Sequence, residues 1–277
     1  MARVLAHNHA RLVKLPSIRP HSRNGNSFVV TRTIALFTDF GSQDIYVGQL
    51  HAAAKKTGSD CPLVDLFHDV NTFDIRAGAS LLAAMLDYLP HDAIVVGVVD
   101  PGVGGGRLPI AVELGERWLV GPDNGLFSRS VAWSTSEARY WTLDTSLDVA
   151  KTFHGRDVFL PVAIELAGGE LGRIRRVEDA GDISTHRDAE KFEGDDCRVI
   201  HVDHYGNLIS GIRGTAIAPH QTAVIAGRVV AHADYYERVP PGECFWYVNS
   251  IGLLEISANQ ASAARALEVK GGAEIAV

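Results

Sequence analysis

The segment from Val98 to Arg107 places an aspartate and an arginine on either side of a glycine-rich turn. Asp100 follows the apolar run Ala93 to Val99, which has the length and β-branched content of a buried strand. The Pro-Gly pair and the three consecutive glycines turn the chain sharply, so that Arg107 can face the Asp100 carboxylate. We interpret this segment as an active-site loop, and a structural turn with a surface ion pair is the alternative. A phosphate-binding loop is rejected, because Pro109 to Leu114 alternates like a strand where a helix is needed.

Two other segments carry titratable side chains where a predicted strand ends or a predicted helix begins. Either Asp39 or Asp44 could be a helix cap. Asp39, however, ends a predicted strand, where it would meet a ligand hydroxyl, whereas for Asp44 at the helix start capping and ligand binding are equally favoured. His154 precedes an apolar helix that Asp157 is predicted to cap. A histidine can accept a proton near neutral pH, although an isolated histidine is more often structural or solvated.

The second half of the chain offers residues suited to recognising a base. In the segment Asp203 to Ile209, Asn207 supplies amide donors and an acceptor, and Tyr205 supplies a face for stacking. The segment Asn249 to Gly252 has a similar composition nearer the C-terminus. By contrast, the turn-rich segment Gly121 to Phe127 favours a structural role.

The elements that position these residues alternate between strands and helices over the first part of the chain. Strands are predicted at Ile34 to Thr38 and Leu63 to Phe67, with helices from Tyr46 to Lys56 and from Ile75 to Leu89. This alternation predicts an α/β fold whose mostly parallel sheet is flanked by helices. Ligands bind such sheets at the carboxyl ends of the strands, where the loops with Asp39 and Asp100 lie.

The last part of the chain has short β-like runs without long amphipathic helices, which predicts a smaller antiparallel β-barrel or sandwich. The runs are Arg198 to Val202, Ala223 to Ala231, Cys244 to Val248 and Gly252 to Ile256. We therefore divide the chain into a disordered extension over residues 1–32, an α/β domain over 33–180 and a β-rich domain over 181–277. The extension carries six basic residues and no acidic one, a composition that a transit peptide or a basic arm could also have. A disordered extension, or a start codon placed too early, is the interpretation that we prefer.

The composition of the chain narrows the classes of partner that it is expected to bind. A formal net charge of −7 disfavours nucleic acid, which binds to basic surfaces. The three cysteines are scattered, so neither a disulfide framework nor a thiolate zinc site is indicated and a reducing cytoplasm is expected. No apolar run approaches the roughly 20 residues of a membrane span, which predicts no membrane partner.

Taken together, five ordered segments resemble the S-adenosyl-L-methionine hydroxide adenosyltransferases, relatives of fluorinase and chlorinase. The segments are Thr38 to Gly48, Val99 to Arg107, Gly121 to Gly125, Thr152 to Asp157 and Tyr205 to Asn207. The resemblance implies that water or hydroxide attacks C5′ of S-adenosyl-L-methionine and releases adenosine and L-methionine, with no cofactor. It further implies a homotrimer in which the substrate lies between the N-terminal domain of one subunit and the C-terminal domain of its neighbour.

The resemblance also assigns roles to individual residues. Its Asp, Arg and His triad falls on Asp100, Arg107 and His154. The leaving group is a neutral thioether, so the water needs activation: arginine stabilises hydroxide character, histidine accepts a proton and aspartate orients both. The implied substrate contacts are Asp39 with the ribose, Asp44 and Ser250 with the methionine end, Asn207 and Tyr205 with adenine, and Phe73 and Phe153 with the ribose and reacting carbon. Ordinary core packing remains the alternative for the two phenylalanines.

One departure from the family pattern concerns Asp203, to which no contact is assigned. The spacing from Asp203 to Asn207 is one residue shorter than in the halogenating relatives.

Three other functions are considered. Halide transfer to the same carbon is disfavoured, because the halogenating relatives have an uncharged residue in place of Asp100 and an anionic side chain repels a halide. A module that binds S-adenosyl-L-methionine or adenosine without turnover is a second alternative. A metallohydrolase is a third, although no helix carries two histidines at metal-binding spacing.

Overall fold

A computed structural model describes residues 32–145, 150–191 and 194–277 of the protein. The extension predicted for residues 1–32 lies outside these ranges, apart from Arg32. Among the helices in these ranges, none combines the length and the apolar character that crossing a membrane requires.

Seven strands form the first sheet, in the order β2-β1-β3-β5-β4-β6-β7. Strands β2, β1, β3 and β5 run parallel, whereas β4 is antiparallel to β5 and β6, and β7 is antiparallel to β6. The predicted α/β class is confirmed, and the sheet is mixed. The strands are β1 Ile34–Thr38, β2 Leu63–Phe67, β3 Ile94–Val98, β4 Pro109–Leu114, β5 Arg117–Pro122, β6 Ala138–Leu143 and β7 Ile174–Arg176.

Helices cover both faces of this sheet, which explains why β1 and β3 are buried along their whole length. On one face, Leu50 of α1 and Val162 of α4 pack in the same cluster as Leu36 of β1. On the other face, Leu82 of α2 packs with Phe37 of β1. The helices of this part of the chain are α1 Ile45–Lys56, α2 Ile75–Met85, α3 Ser128–Trp133, α4 Leu160–Ala167 and α5 Ser184–Lys191.

The second sheet also has seven strands, in the order β14-β10-β11-β12-β13-β9-β8. It nearly closes into a barrel, because the Val199 N–H donates to the Ala273 carbonyl over 2.8 Å and the Gly272 N–H donates to the Val199 carbonyl over 2.8 Å. The predicted β-rich C-terminal part is thereby confirmed. Its elements are β8 Asp196–Val202, β9 Leu208–Arg213, β10 Ala223–Ile225, β11 Arg228–His232, β12 Cys244–Val248, β13 Leu253–Ala258, α6 Ala263–Leu267 and β14 Ile275–Ala276.

The segment between the sheets is anchored by an aspartate of the turn-rich motif. Both carboxylate oxygens of Asp123, which follows β5, accept hydrogen bonds from the Ser184 and Thr185 N–H groups over 2.8 Å. Asp123 thus satisfies the free N–H groups at the start of α5, the structural role that the motif favours. The predicted domain boundary at 180/181 falls in the short turn Ala180–Asp182 just before this helix, and it stays a prediction.

Candidate active site

A cavity of about 320 Å³ opens beside the loops that follow β1 and β3. Loops after parallel strands are where such sheets bind ligands. The cavity is lined by Asp39, Phe40, Tyr46, Thr72, Phe73, Val98, Asp100, Val103, Thr152, Phe153, His154 and Gly155.

The loop after β3 brings Asp100 and Arg107 together, as the sequence pattern predicts. The Nε of Arg107 donates to both Asp100 oxygens, over 3.0 and 3.2 Å, and its Nη2 donates to Oδ2. The two side chains are only 3% and 11% exposed, so this forked ion pair lies largely out of water. A charge-assisted pair with this geometry holds the carboxylate firmly in place.

Arg107 also contacts His154, which arrives from a distant part of the chain. Its Nη2 lies 3.0 Å from the His154 Nδ1. Because a guanidinium only donates, Nδ1 must accept, and the neutral ring therefore carries its proton on Nε2. This differs from the expectation that His154 accepts a proton, since the only lone pair of the ring is already used.

Burial and the positive charge of Arg107 lower the pKa of His154 below its ordinary value, and Asp100 opposes this effect. The neutral ring is thus favoured by the same arginine that bonds to it. Arg107 itself is not among the residues that line the cavity, and its guanidinium lies over the Phe159 ring, 5.4 Å from the centroid. Arg107 thus holds Asp100 and His154 from outside the cavity lining.

Close packing of two loops sets the distance between Arg107 and His154. Gly104 has φ of +77°, and a Cβ there would lie 2.5 Å from the Lys151 carbonyl oxygen. A side chain at this position would therefore push the loop away from the segment that carries His154. On the other side, the amide of Asn124 donates to the Val99 carbonyl over 2.8 Å and holds the start of the loop.

His154 directly precedes a π-helical turn, Gly155–Phe159, which continues into α4. Such turns are rare and often occur at functional sites. The prediction that Asp157 caps the helix is wrong, because the helical backbone already begins at Gly155. The Asp157 carboxylate instead accepts a hydrogen bond from the Nε of Arg156 over 2.6 Å.

Asp39 organises the opposite wall of the cavity. Its Oδ2 accepts a hydrogen bond from the Phe73 N–H over 3.0 Å. Phe73 has φ of +66°, a strained value for a bulky residue, and it is 66% exposed. Burial raises the pKa of Asp39, and the Phe73 N–H opposes this effect. The carboxylate thus helps to hold an aromatic side chain in an exposed position beside the cavity.

Three aromatic rings pack against one another in the cavity wall. The centroids of Phe40, Tyr46 and Phe153 lie 5.6 to 5.8 Å apart. Phe153 is a predicted site residue, whereas Phe40 and Tyr46 belong to a family motif that gave them no role. Their position beside Asp39 and Asp44 in the sequence is the signal that could have identified them.

The remaining predicted residues do not line this cavity. Asp44 is exposed and caps α1, because its carboxylate accepts a hydrogen bond from the Ile45 N–H over 2.6 Å. Tyr205 and Asn207 line a different cavity, of about 700 Å³, beside the second sheet. Ser250 lines neither cavity, and its carbonyl oxygen accepts a hydrogen bond from the Tyr88 hydroxyl.

Within the described ranges, no three His, Cys, Asp or Glu side chains are grouped so that they could hold a metal ion. The site contains two carboxylates, a guanidinium, an imidazole and aromatic rings. Such a set can orient and deprotonate a water molecule next to an apolar surface.

Comparisons with known proteins find relatives that match both parts of the chain. The sequence profile of the SAM hydroxide adenosyltransferase N-terminal domain matches residues 34–175, and that of the C-terminal domain matches residues 197–276. A protein of Salinispora arenicola named (R)-S-adenosyl-L-methionine hydrolase is 34% identical over 256 residues, which cover 89% of this chain and 98% of that protein. A more distant relative, 22% identical over 88% of this chain and 96% of its own length, is named fluorinase, from Actinopolyspora mzabensis.

The fold also matches a solved structure. An uncharacterized conserved protein from Thermotoga maritima superposes with a TM-score of 0.75 and 27% sequence identity, covering 88% of this chain and 98% of that one.

Proposed function

Since this chain belongs to the SAM hydroxide adenosyltransferase family, we propose that the cavity beside β1 and β3 is where water attacks C5′ of S-adenosyl-L-methionine. Hydrolysis of S-adenosyl-L-methionine to adenosine and L-methionine is the activity that its relatives' names support. The observation that carries the proposal is the linkage of Asp100 and His154, both lining the cavity, through Arg107.

The reaction forms a bond from the water oxygen to C5′ and breaks the C5′–S bond, whose electron pair goes to sulfur. A neutral thioether leaves, so no acid is needed, but the attacking water must lose one proton. We assign that proton to Asp100, because the lone pair of neutral His154 is already bonded to Arg107. The water becomes more acidic as its bond to carbon forms, so a carboxylate is a sufficient base. The Nε2–H of His154 then holds the water oxygen in line with C5′.

The substrate contacts follow the family resemblance. Asp39 would bind the ribose hydroxyls, with Phe73 and Phe153 against the ribose and the reacting carbon. Asp44 and Ser250 would bind the methionine end. For Asp39, Phe73 and Phe153, the assignment is supported by their position in the lining of the cavity.

Tyr205 and Asn207 would bind adenine from a neighbouring subunit of a homotrimer. Their separation from the Asp100 cavity within one chain supports this arrangement, because one substrate needs both sets of contacts.

The three unpaired cysteines are in keeping with a reducing cytoplasm as the location.

Mass spectrometry after incubation with S-adenosyl-L-methionine in heavy-oxygen water tests the proposed reaction. We expect the label in the 5′-hydroxyl of adenosine and an equal amount of L-methionine. Parallel reactions with added chloride or fluoride should give no halogenated nucleoside. Bound substrate that stays intact over a long incubation at high protein concentration would identify a binding module instead.

The linkage of His154 to Arg107 predicts how the rate depends on pH. Protonated His154 would point an N–H at the Arg107 donor and lose its hydrogen bond, so turnover should fall as pH falls through the His154 pKa. Because that pKa is lowered from 6.5, the midpoint of the acidic limb should lie below pH 6.5. The midpoint is measured from kcat/KM across the range from acidic to neutral pH, because kcat/KM reports the groups of the free enzyme. A midpoint above the ordinary histidine value, or the same limb in His154→Gln, contradicts the assignment.

A further inference from the structure

The turn between β8 and β9 is organised by the carboxylate of Asp203. Its Oδ1 accepts hydrogen bonds from the N–H groups of Tyr205 over 2.9 Å and of Asn207 over 2.8 Å. Its Oδ2 accepts a third, from the Nδ2 of Asn207 over 2.8 Å. A carboxylate only accepts, so the amide nitrogen of Asn207 must face it. The orientation of this amide is therefore fixed by Asp203.

The fixed orientation leaves the amide oxygen of Asn207 without a partner. Asn207 is 4% exposed, and its Oδ1 is a buried acceptor with no hydrogen bond to the described part of the chain. A buried acceptor of this kind is unfavourable until a donor reaches it. Because Asn207 lines the cavity of about 700 Å³, a ligand in that cavity is the natural source of the donor.

The turn is also held against α6, so it cannot easily adapt to a different ligand. Gly206 has φ of +87°, and a Cβ there would collide with the side chain of Ser262, the N-cap of α6. The Gly206 carbonyl accepts a hydrogen bond from the Ala264 N–H over 2.9 Å. Asn207 is thus presented on a rigid support.

We propose that Asp203 is a positioning residue that makes the base site select a 6-amino purine over a 6-oxo purine. This inference rests on the proposed function, in which Asn207 binds adenine. Adenine presents an amino donor beside a ring-nitrogen acceptor, which matches an amide with its oxygen and second N–H toward the base. A 6-oxo purine places a carbonyl oxygen opposite the Asn207 oxygen, and two acceptors repel each other.

Asp203→Asn tests the proposal with almost no change in shape. The amide oxygen of the variant can still accept the two backbone N–H groups, but the new NH₂ group needs an acceptor, so the Asn207 amide turns over. We expect adenosine to bind about tenfold more weakly or worse, and inosine to bind more tightly than it does to the unchanged protein. Calorimetry with adenosine and inosine measures both. Asp179→Asn is the matched control, because Asp179 is exposed and accepts one backbone hydrogen bond, from Gly181.

A second variant keeps the test decisive if Asp203→Asn does not fold, which thermal melting would show. Asp203→Ser retains an acceptor for the turn but releases the Asn207 amide, and it should lose discrimination without reversing it. An unchanged adenosine-to-inosine ratio in the folded variant overturns the role of Asp203, as does equal binding of both nucleosides to the unchanged protein. If the unchanged protein binds neither adenosine nor S-adenosyl-L-methionine, the proposed function itself fails.

Discussion

Replacing Asp100 by Asn, Arg107 by Ala or His154 by Ala should each lower turnover by about 10²–10⁴-fold, with little change in the affinity for S-adenosyl-L-methionine. Asp100 and His154 are assigned to the attacking water, and Arg107 holds both of them through hydrogen bonds of about 3 Å. None of the three is assigned to the nucleoside. Single-turnover rates measured over a range of S-adenosyl-L-methionine concentrations give both the rate and the substrate affinity.

The three losses should not add, because the residues act on one water as a unit. A double variant should resemble the worse single variant. Arg107→Lys tests the forked geometry, since an ammonium keeps the charge but cannot reproduce the planar arrangement that joins both neighbours. Arg139→Ala is the matched control, because it removes a half-exposed arginine of β6 that pairs with Glu113 over 3.5 Å. Variants that keep turnover and lose only affinity would refute the assignment of all three residues to the water.

Mixing two inactive variants should restore activity if each site is shared between neighbouring subunits. Asp100→Asn damages the cavity beside the first sheet, whereas Asn207→Ala damages the base site beside the second. In a mixed closed ring, some sites combine the intact cavity of one subunit with the intact base site of its neighbour. A trimer that contains both variants has one such site among its three, so about a third of the sites should be intact once the unmixed trimers are removed. Co-expression with two different affinity tags, followed by tandem purification and an activity assay, measures the recovery.

The control for this experiment mixes two variants that damage the same cavity, Asp100→Asn and His154→Ala. Their mixed assembly should stay inactive, because every site then receives a damaged cavity. Recovery in the control, or no recovery in the complementary pair despite mixed assembly, would argue against a shared site. A monomer in sedimentation experiments that turns over substrate would argue against it directly.

The features that could be predicted from the sequence are those decided by residues close together in the chain. Asp100 and Arg107 face one another because the glycine turn between them leaves little choice. The α/β class follows from alternating apolar patterns, and the sheet order confirms it. His154 is singled out by its position before a predicted helix, but only the family motif joins it to Asp100 and Arg107, since nothing in its neighbourhood indicates an arginine 47 residues earlier.

What could not be predicted depends on packing between distant segments. The tautomer of His154 is set by Arg107, and their contact depends on the fit of Gly104 against the backbone of Lys151. The run Ala223 to Ala231 is one apolar stretch in the sequence, yet it folds as two strands, because Ala226 and Gly227 both adopt positive φ. Asp203 is an exception, because its partners Tyr205 and Asn207 are near it in the chain, and the sequence assigns it no contact because its spacing departs from the family pattern.

The loop from Asp100 to Arg107 has an evolutionary consequence. It joins the end of β3 to the start of β4, and it carries both members of the buried ion pair outside either sheet. Two of the three side chains assigned to the water therefore lie in one short connection, separate from the residues that form the two cores. A descendant of this fold can thus acquire a new nucleophile by rewriting a single connection and the histidine opposite it.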